Sequence, residues 1–301
     1  MIGSHASCLT TVLGCVAIIA PAGLAAQAVC SAPHSSPTLS RAGIGILPRG
    51  AGWVQITGYH ARSSDFFGPD GENRPFLSGG KTTTSSVFLT AAGGVVRGVE
   101  LWIQLPVHRI AFSDETGSLD RVGIGDPRIS VRVGLSALGI DGLPVSVRAG
   151  IKLPGSDFPV DPDVLPISEG QTDIEVVAEA GRVLTGHYPL HIVGWAGYRR
   201  RFRNDARSRK PGDERFARIG AGGPLGSLRW DLALEGLWGL APEQQGFILD
   251  GARRQLLQVL PTLGWAVGSA AFELTGRLSV SGRNLPSGPS VSAGFLFPWL
   301  L

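Results

Sequence analysis

The residues of this 301-residue chain whose types and spacing could do chemistry are charged side chains that recur at alternate positions of short segments. Alternate residues of a β-strand point to the same face, so each set would line one face. Neighbouring sets carry opposite signs, and antiparallel pairing would join them as cross-strand ion pairs. The three sets are Arg148 and Lys152; Asp173, Glu175 and Glu179; and Arg199, Arg201 and Arg203.

Other segments carry charges of both signs on one parity, so selectivity for a single sign of charge is not expected. If these faces enclosed a water-filled path, charged rings would sort solutes by charge and size. If they enclosed a narrow interior, the charges would only neutralise one another and hold the strands together around a closed lumen. Both interpretations stay open. The additional lining candidates are Arg128, Arg229, Asp231, Glu235, Glu273 and Arg277.

Enzymatic chemistry is not indicated by the other reactive residues. No histidine shares a strand face with a Ser/Asp pair in the way that a nucleophile, a base and an orienting group require. Cys30 has no Cys/His set around it for zinc. Gly123-x-Gly125 precedes a predicted strand rather than a helix, which excludes a dinucleotide-binding loop. We therefore expect no catalytic residues, no metal and no cofactor.

The N-terminal region is typical of an exported protein. Residues 1–40 contain no Asp, Glu, Lys or Arg, and residues 9–28 form an apolar run that ends in Ala26-Gln27-Ala28, a small-x-small cleavage pattern. This predicts a signal peptide over 1–28, with a retained anchor as the alternative because the first residues lack a basic charge. A flexible periplasmic lead over 29–50 would follow. Cleavage would leave Cys30 as the single thiol and no internal disulfide.

From residue 51 onward the chain alternates polar and apolar residues. In 144–153, Ser146, Arg148 and Lys152 occupy one parity and aliphatic residues the other, as in a strand with two unlike faces. We expect an all-β, up-and-down antiparallel transmembrane barrel over 51–301, of about twelve strands with ten to fourteen possible. The predicted strands are 52–60, 82–92, 95–105, 123–135, 144–153, 171–183, 189–203, 213–222, 227–240, 253–264, 270–281 and 290–301.

Loop lengths and tryptophans favour a membrane barrel over a soluble one. Long links alternate with short links, among them Gly93-Gly94, as expected when short turns face the periplasm and long loops face outward. Trp102 and Trp195 have lumen parity. Five other tryptophans lie near predicted strand ends, where an interfacial aromatic girdle would be: Trp53, Trp230, Trp238, Trp265 and Trp299.

Short glycine-rich landmarks in the middle of the chain resemble those of a known family. They are 122–129 (VGIGDPRI), 149–157 (AGIKLPGSD), 170–173 (GQTD) and 197–199 (GYR). These resemble landmarks of the MetA-like outer-membrane barrels of phenol-degradation pathways, over about 120–205. The resemblance implies an outer-membrane channel for hydrophobic or aromatic compounds. The charged residues at alternate positions of the predicted strands disagree with a hydrophobic cargo.

Composition is consistent with this interpretation. No apolar run of 18 residues follows the signal, which excludes a later transmembrane helix. The formal net charge is only +3 and no long Lys/Arg block is present, so nucleic acid is not expected as a partner. Four basic residues, Arg200, Arg207, Arg209 and Lys210, surround the outer end of the seventh strand. They predict either contact with anionic outer-leaflet lipid or a solvated loop.

The sequence thus predicts a protein of the bacterial outer membrane that acts as a passive channel or transporter for small molecules. Its expected partners are outer-membrane lipid, a small-molecule solute and the barrel-assembly machinery. One alternative is a structural or surface-interaction barrel with an occluded lumen. A membrane-embedded lipid enzyme is the third and least favoured alternative.

Overall fold

The computed structural model describes residues 45–140, 144–155, 166–186 and 189–300. The predicted signal peptide, Cys8, Cys15 and Cys30 lie outside these residues. No helix in the described ranges is both long enough and apolar enough to cross a membrane.

Twelve antiparallel strands form one closed barrel, as the alternation of residue types predicts. Each strand pairs with its neighbours in sequence, and the first closes on the last with Ala51 opposite Leu300. The strands are β1 (Ala51–Ser63), β2 (Lys81–Val96), β3 (Val99–Asp114), β4 (Arg128–Gly134), β5 (Val145–Lys152), β6 (Asp173–Leu184), β7 (Leu190–Arg201), β8 (Glu214–Leu225), β9 (Leu228–Gly239), β10 (Gln255–Val267), β11 (Ala270–Arg283) and β12 (Ser290–Leu300).

The two faces of the barrel wall are those of a protein in lipid. Outward-facing aliphatic side chains are exposed, with Leu89 at 44% and Leu232 at 51%, whereas the inward-facing Glu100 and Arg201 are each only 1% exposed. A soluble barrel would have the reverse arrangement, because its charged side chains would be in water. Backbone hydrogen bonds are closed around the whole ring, so no strand edge of the barrel needs a partner inside the hydrocarbon.

The barrel has a turn end and a loop end. The turn end carries the N-terminal residues before β1 and mostly short links, such as 97–98, 226–227 and 268–269. The loop end carries long links, such as 64–80, 153–172 and 240–254. The alternation has one exception, since the turn-end link 135–144 is longer than the loop-end link 284–289. In outer-membrane barrels the turn end faces the periplasm.

Two predicted boundaries are wrong. The β2–β3 turn lies at Arg97-Gly98 rather than Gly93-Gly94, and Gly98 has φ +77°, a conformation that favours glycine. Gly94 instead faces the lumen inside β2, where a Cβ atom would lie 2.2 Å from the carbonyl oxygen of Pro48. The glycine pair is therefore explained by close approach of another chain segment.

The predicted strand 123–135 is also divided. Residues Gly117–Ile124 pair with the outer half of β3 as a hairpin, and β4 starts only at Arg128. Polar and apolar residues alternate in both the hairpin strand and β4. Alternation therefore does not show where the hairpin ends and the barrel strand begins.

The tryptophans divide differently from the prediction at one position. Trp102 and Trp195 face the lumen as expected, and Trp238, Trp265 and Trp299 are exposed on the outer surface. The sequence predicts Trp53 in the girdle, but this residue is 3% exposed and packs edge-on against Trp102, with ring centroids 5.0 Å apart. Trp53 occupies an inward-facing position of β1, and this direction decides where its ring lies even though the residue is near a strand end.

The lumen as the candidate functional site

A continuous charge network covers the lumen wall formed by β3 to β8. At its centre, Arg199 on β7 lies 3.0 Å from Glu175 on β6 and 2.8 Å from Glu214 on β8. Arg201, one step nearer the loop end, lies 3.1 Å from Glu214. Antiparallel register places Arg199 opposite Glu175 and Glu214, so the strand pairing itself brings the opposite charges together.

The network continues toward the turn end through β5, β4 and β3. Arg148 contacts Glu179 at 3.1 Å, and Arg132 contacts the same carboxylate at 2.7 Å. Arg132 also lies 3.4 Å from Glu100. These groups are buried inside the barrel, where screening by solvent is weak and the attraction between opposite charges is stronger than on a surface.

Toward the loop end the network gathers around Lys152. The ammonium group lies 2.9 Å from Asp126, 3.0 Å from Glu169 and 3.1 Å from Asp173. Glu169 also pairs with Arg201, and so links the loop that precedes β6 to the wall of β7.

The network is balanced in charge. Each member has at least one partner of opposite sign, as a buried charge requires. Its seven cations and seven carboxylates are Arg128, Arg132, Arg148, Lys152, Arg199, Arg201 and Arg254, and Glu100, Asp126, Glu169, Asp173, Glu175, Glu179 and Glu214.

Residues 166–171, here called the mouth segment, fold into the loop end of the lumen. Ile167 is 2% exposed and packs against Ile110 on the inner face of β3. Asp126 holds the segment in place: it accepts hydrogen bonds from the Ser168 hydroxyl and from the backbone N–H of Glu169. The loop end is therefore narrowed by chain that belongs to no strand.

Glu169 in the mouth segment is held ionised. Burial by itself would raise the pKa of its carboxyl group, but the charges of Arg201, Lys152 and Arg254 outweigh burial. The pKa of Glu169 therefore lies well below its ordinary value. This carboxylate is the group that fastens the mouth segment to the charged wall.

Residues 45–50, here called the lead segment, enter the turn end of the lumen. The Leu47 N–H group donates to the Glu100 carboxylate, and Arg132 Nη1 donates to the Gly45 carbonyl oxygen at 3.1 Å. The Leu47 side chain packs on a buried cluster that contains Trp53 and Trp102. The sequence predicts a flexible lead up to residue 50, whereas its last six residues form these specific contacts.

The opposite wall, formed by β1, β2 and β9 to β12, is polar but sparsely charged. It borders a cavity with an empty volume of about 810 Å³, part of which is open to solvent, lined among others by Tyr59, Thr84, Gln258 and Arg277. Arg277 donates to Ser292 at 2.9 Å and lies 5.7 Å above the Tyr59 ring. A second cavity adjoins the charge network, with an empty volume of about 480 Å³ that likewise includes space open to solvent. Both cavities lie within the same barrel, so the lumen contains open space beside its charged wall.

The predicted lining residues fall into three groups. Arg128, Arg148, Lys152, Asp173, Glu175, Glu179, Arg199 and Arg201 belong to the network. Arg229, Asp231, Glu235, Glu273 and Arg277 face the lumen elsewhere, and Asp231 bonds both Arg229, at 3.1 Å, and His191, at 2.6 Å. Arg203 is the exception, because β7 ends at Arg201 and Arg203 pairs with Glu243 at the surface of the loop end.

Six network members are absent from the predicted set. Asp126 and Arg132 share the polar parity around β4 and could have been included on that signal. Glu214 opens the segment with the weakest alternation. Glu169 lies in a loop, where no period exists to indicate a direction. Arg254 falls inside the predicted strand 253–264 but precedes β10 in the structure, and Glu100 is the only charge at its alternate positions of the predicted strand 95–105. Among the residues that the structure describes, no group of three or more His, Cys, Asp or Glu side chains could hold a metal ion.

A closed twelve-stranded barrel with an apolar outer face and a charged lumen defines a bacterial outer-membrane β-barrel protein. Comparison with solved structures agrees. The chain superposes on the COG4313 outer membrane channel from Pseudomonas putida F1 with a TM-score of 0.66 and 14% identity, over 87% of this chain and 100% of that one. It also superposes on the β domain of the Bordetella autotransporter BrkA with a TM-score of 0.51 and 10% identity, over 83% of this chain and 100% of that one.

At these identities the likeness concerns the fold. No protein-family model matches the sequence, and no curated protein matches it.

Proposed function

We propose that this protein is a passive outer-membrane channel for small molecules, described here in its closed state. The observation that carries the proposal is that both ends of a lumen with open cavities are narrowed by the lead segment and the mouth segment, neither of which is part of the barrel ladder. Moving either segment would break no hydrogen bond between barrel strands. The open path would then run between the charge network and the polar wall.

The lumen chemistry favours a small polar solute. The network has no excess of either sign, so it would attract anions and cations about equally along its length. The facing wall offers hydroxyl and amide groups, including Thr84 and Gln258, that can replace the hydrogen bonds a solute loses with water. The MetA-like resemblance implies a hydrophobic or aromatic cargo instead, and the burial of so many charges beside the path argues against such a cargo.

Planar-bilayer conductance tests the proposal. Removing residues 45–50 removes the lead segment and should raise the steady conductance several-fold over that of the intact protein. A matched variant that lacks residues 29–44 but keeps 45–50 should conduct like the intact protein. Background conductance in every sample, from protein that is folded by its heat-dependent gel mobility, would instead support a structural barrel with an occluded lumen.

The proposal includes no enzymatic activity. The same purified protein, incubated with phospholipid vesicles, should release no fatty acid above the rate of a heat-denatured sample. Release of fatty acid that depends on folded protein would favour the lipid-enzyme alternative.

A further inference from the structure

Outward-facing charges are distributed very unevenly between the two ends of the barrel. On the described strands, the exposed cations that point outward lie beside the apolar stretch at its loop end. The one exception is Arg182, which lies near the turn end of β6. Among the outward-facing residues at the loop end of these strands, the only carboxylate is that of Asp120, which already pairs with Arg109. The loop-end cations are Arg62, Lys81, Arg109, Arg200, Arg215 and Arg283.

Arg200 and Arg215 differ from the lumen arginines because no carboxylate of the described residues neutralises them. In the part of the chain that the structure describes, no carboxylate lies within ion-pair distance of Arg200 or Arg215, whereas every cation of the charge network has such a partner. An outward arginine costs about 2–4 kcal/mol at the middle of a bilayer and about 0–1 kcal/mol near its surface. Their position therefore marks the membrane surface at the loop end.

One group of these residues forms a compact surface across three adjacent strands. Tyr198 on β7 is directly opposite Arg215 on β8, which in turn is opposite Trp238 on β9. Arg200 follows Tyr198 on the same face, and its guanidinium lies 5.6 Å above the Phe202 ring. We call these five residues the rim patch. Its aromatic side chains are 38–45% exposed.

The carboxylate that contacts the rim patch is already hydrogen-bonded through both of its oxygen atoms. Asp213 accepts a hydrogen bond from the Tyr198 hydroxyl at 2.7 Å through Oδ2, and one from the Arg201 N–H group at 2.9 Å through Oδ1. These bonds hold Asp213 against the top of β7. The guanidinium groups of Arg200 and Arg215 remain available to an anion.

We propose that the rim patch binds the phosphate group of a phosphorylated lipid in the outer leaflet. Guanidinium groups match phosphate oxygens with paired hydrogen bonds, and two on one face can hold a single phosphate or two neighbouring ones. Exposed aromatic rings at the same level lie where headgroup and acyl chain meet, so they would contact the sugar or glycerol part of the lipid. The barrel would thereby be anchored at a fixed depth by lipid at its loop end.

Lipid retention by the purified protein tests this assignment. The protein in mild detergent is mixed with diphosphorylated lipid A, and bound lipid is measured by native mass spectrometry. The double variant Arg200→Gln/Arg215→Gln should bind at least about tenfold more weakly than the unchanged protein. Arg182→Gln removes an outward arginine near the turn end and should bind like the unchanged protein. Heat-dependent gel mobility confirms the fold of each variant, and the single variants serve if the double variant does not fold.

Four results would overturn the proposal. The double variant could retain the lipid fully, or Arg182→Gln could lose as much binding as the double variant, which would indicate only diffuse attraction. Alternatively, chemically dephosphorylated lipid A could bind as well as the phosphorylated form. Inorganic phosphate is the last probe: if the unchanged protein binds it but retains no lipid A, the rim patch is assigned to a free anion instead of a lipid. Because none of these measurements depends on conductance, they stand apart from the channel proposal.

Discussion

Arg199 and Glu214 face each other across β7 and β8 inside the barrel, with 2.8 Å between guanidinium and carboxylate and side chains 4% and 1% exposed. Glu214 also pairs with Arg201 and Arg254, so one carboxylate contacts three guanidinium groups in a space that water barely reaches. The lumen wall therefore depends on a few shared carboxylates rather than on separate pairs.

Replacing Glu214 by Gln should strongly destabilise the barrel. It leaves three buried cations without this partner, and breaking a buried pair typically costs about 3–5 kcal/mol. Unfolding followed by gel mobility against urea concentration in detergent would show the loss. Glu243→Gln breaks the partly exposed pair with Arg203 and should cost at most about 1 kcal/mol. Equal midpoints for the two variants would contradict the shared-carboxylate explanation.

Removing Arg199 and Arg201 together tests whether the lumen is an open channel or is closed and held together by its ion pairs. Gln at both positions leaves Glu175, Asp173 and Glu214 in excess, and an acidic wall attracts cations. In a channel, the reversal potential under a salt gradient should shift toward that of the cation. In a closed lumen, the same variant should melt at lower temperature while ion flux stays at background.

Acid should release the mouth segment through Glu169. Its pKa is lower in the folded protein than the ordinary value of 4.5, so its contribution to stability is complete above 4.5, declines as pH falls below 4.5, and is lost only as pH passes the lower pKa of the folded state. Accessibility of the segment to protease, followed from pH 7 to pH 3, should stay constant down to about pH 4.5 and increase below it. Glu169→Gln should already be accessible at pH 7 and respond less to acid; a variant that behaves like the unchanged protein would sink this prediction.

A side chain at position 94 should displace the lead segment. Gly94→Val would place its Cβ atom 2.2 Å from the Pro48 carbonyl oxygen, a distance that forces the segment away while the outward face stays unchanged. We expect faster proteolysis of the lead and higher conductance, with heat-dependent mobility preserved. Gly186→Val is the control, because nothing lies within 4 Å of a Cβ atom there. Unchanged conductance with a displaced lead would show that this segment does not close the path.

Orientation can be measured on intact cells. Single cysteines at Gly71 and Arg209, placed in a background with Cys30→Ser, should react with a membrane-impermeant maleimide because the loop end faces outward. A cysteine at Leu138, in the turn-end link, should react only after the cells are broken. The opposite labelling pattern would reverse the topology and would move the rim patch to the inner leaflet.

The sequence by itself determined the strands and most of the lumen-facing charges. Residue direction in a strand has period two, a local property, so Arg199 and Glu175 could be assigned to one face without knowledge of their neighbours. Antiparallel order then predicted that they meet. The same reasoning correctly placed Trp102 and Trp195, and it separated an apolar outside from a polar inside once loop lengths favoured a membrane.

Only the tertiary structure decided what fills the two ends of the barrel. Glu169 and Leu47 lie outside the barrel strands, where no period indicates direction, and their positions depend on closure of the barrel around them. Gly94 resembles a turn residue in sequence, yet its backbone packs closely against Pro48 of the lead segment, which is 46 positions away in the chain. Such contacts depend on which chain segments share the enclosed space, and alternation within one strand carries no information about that.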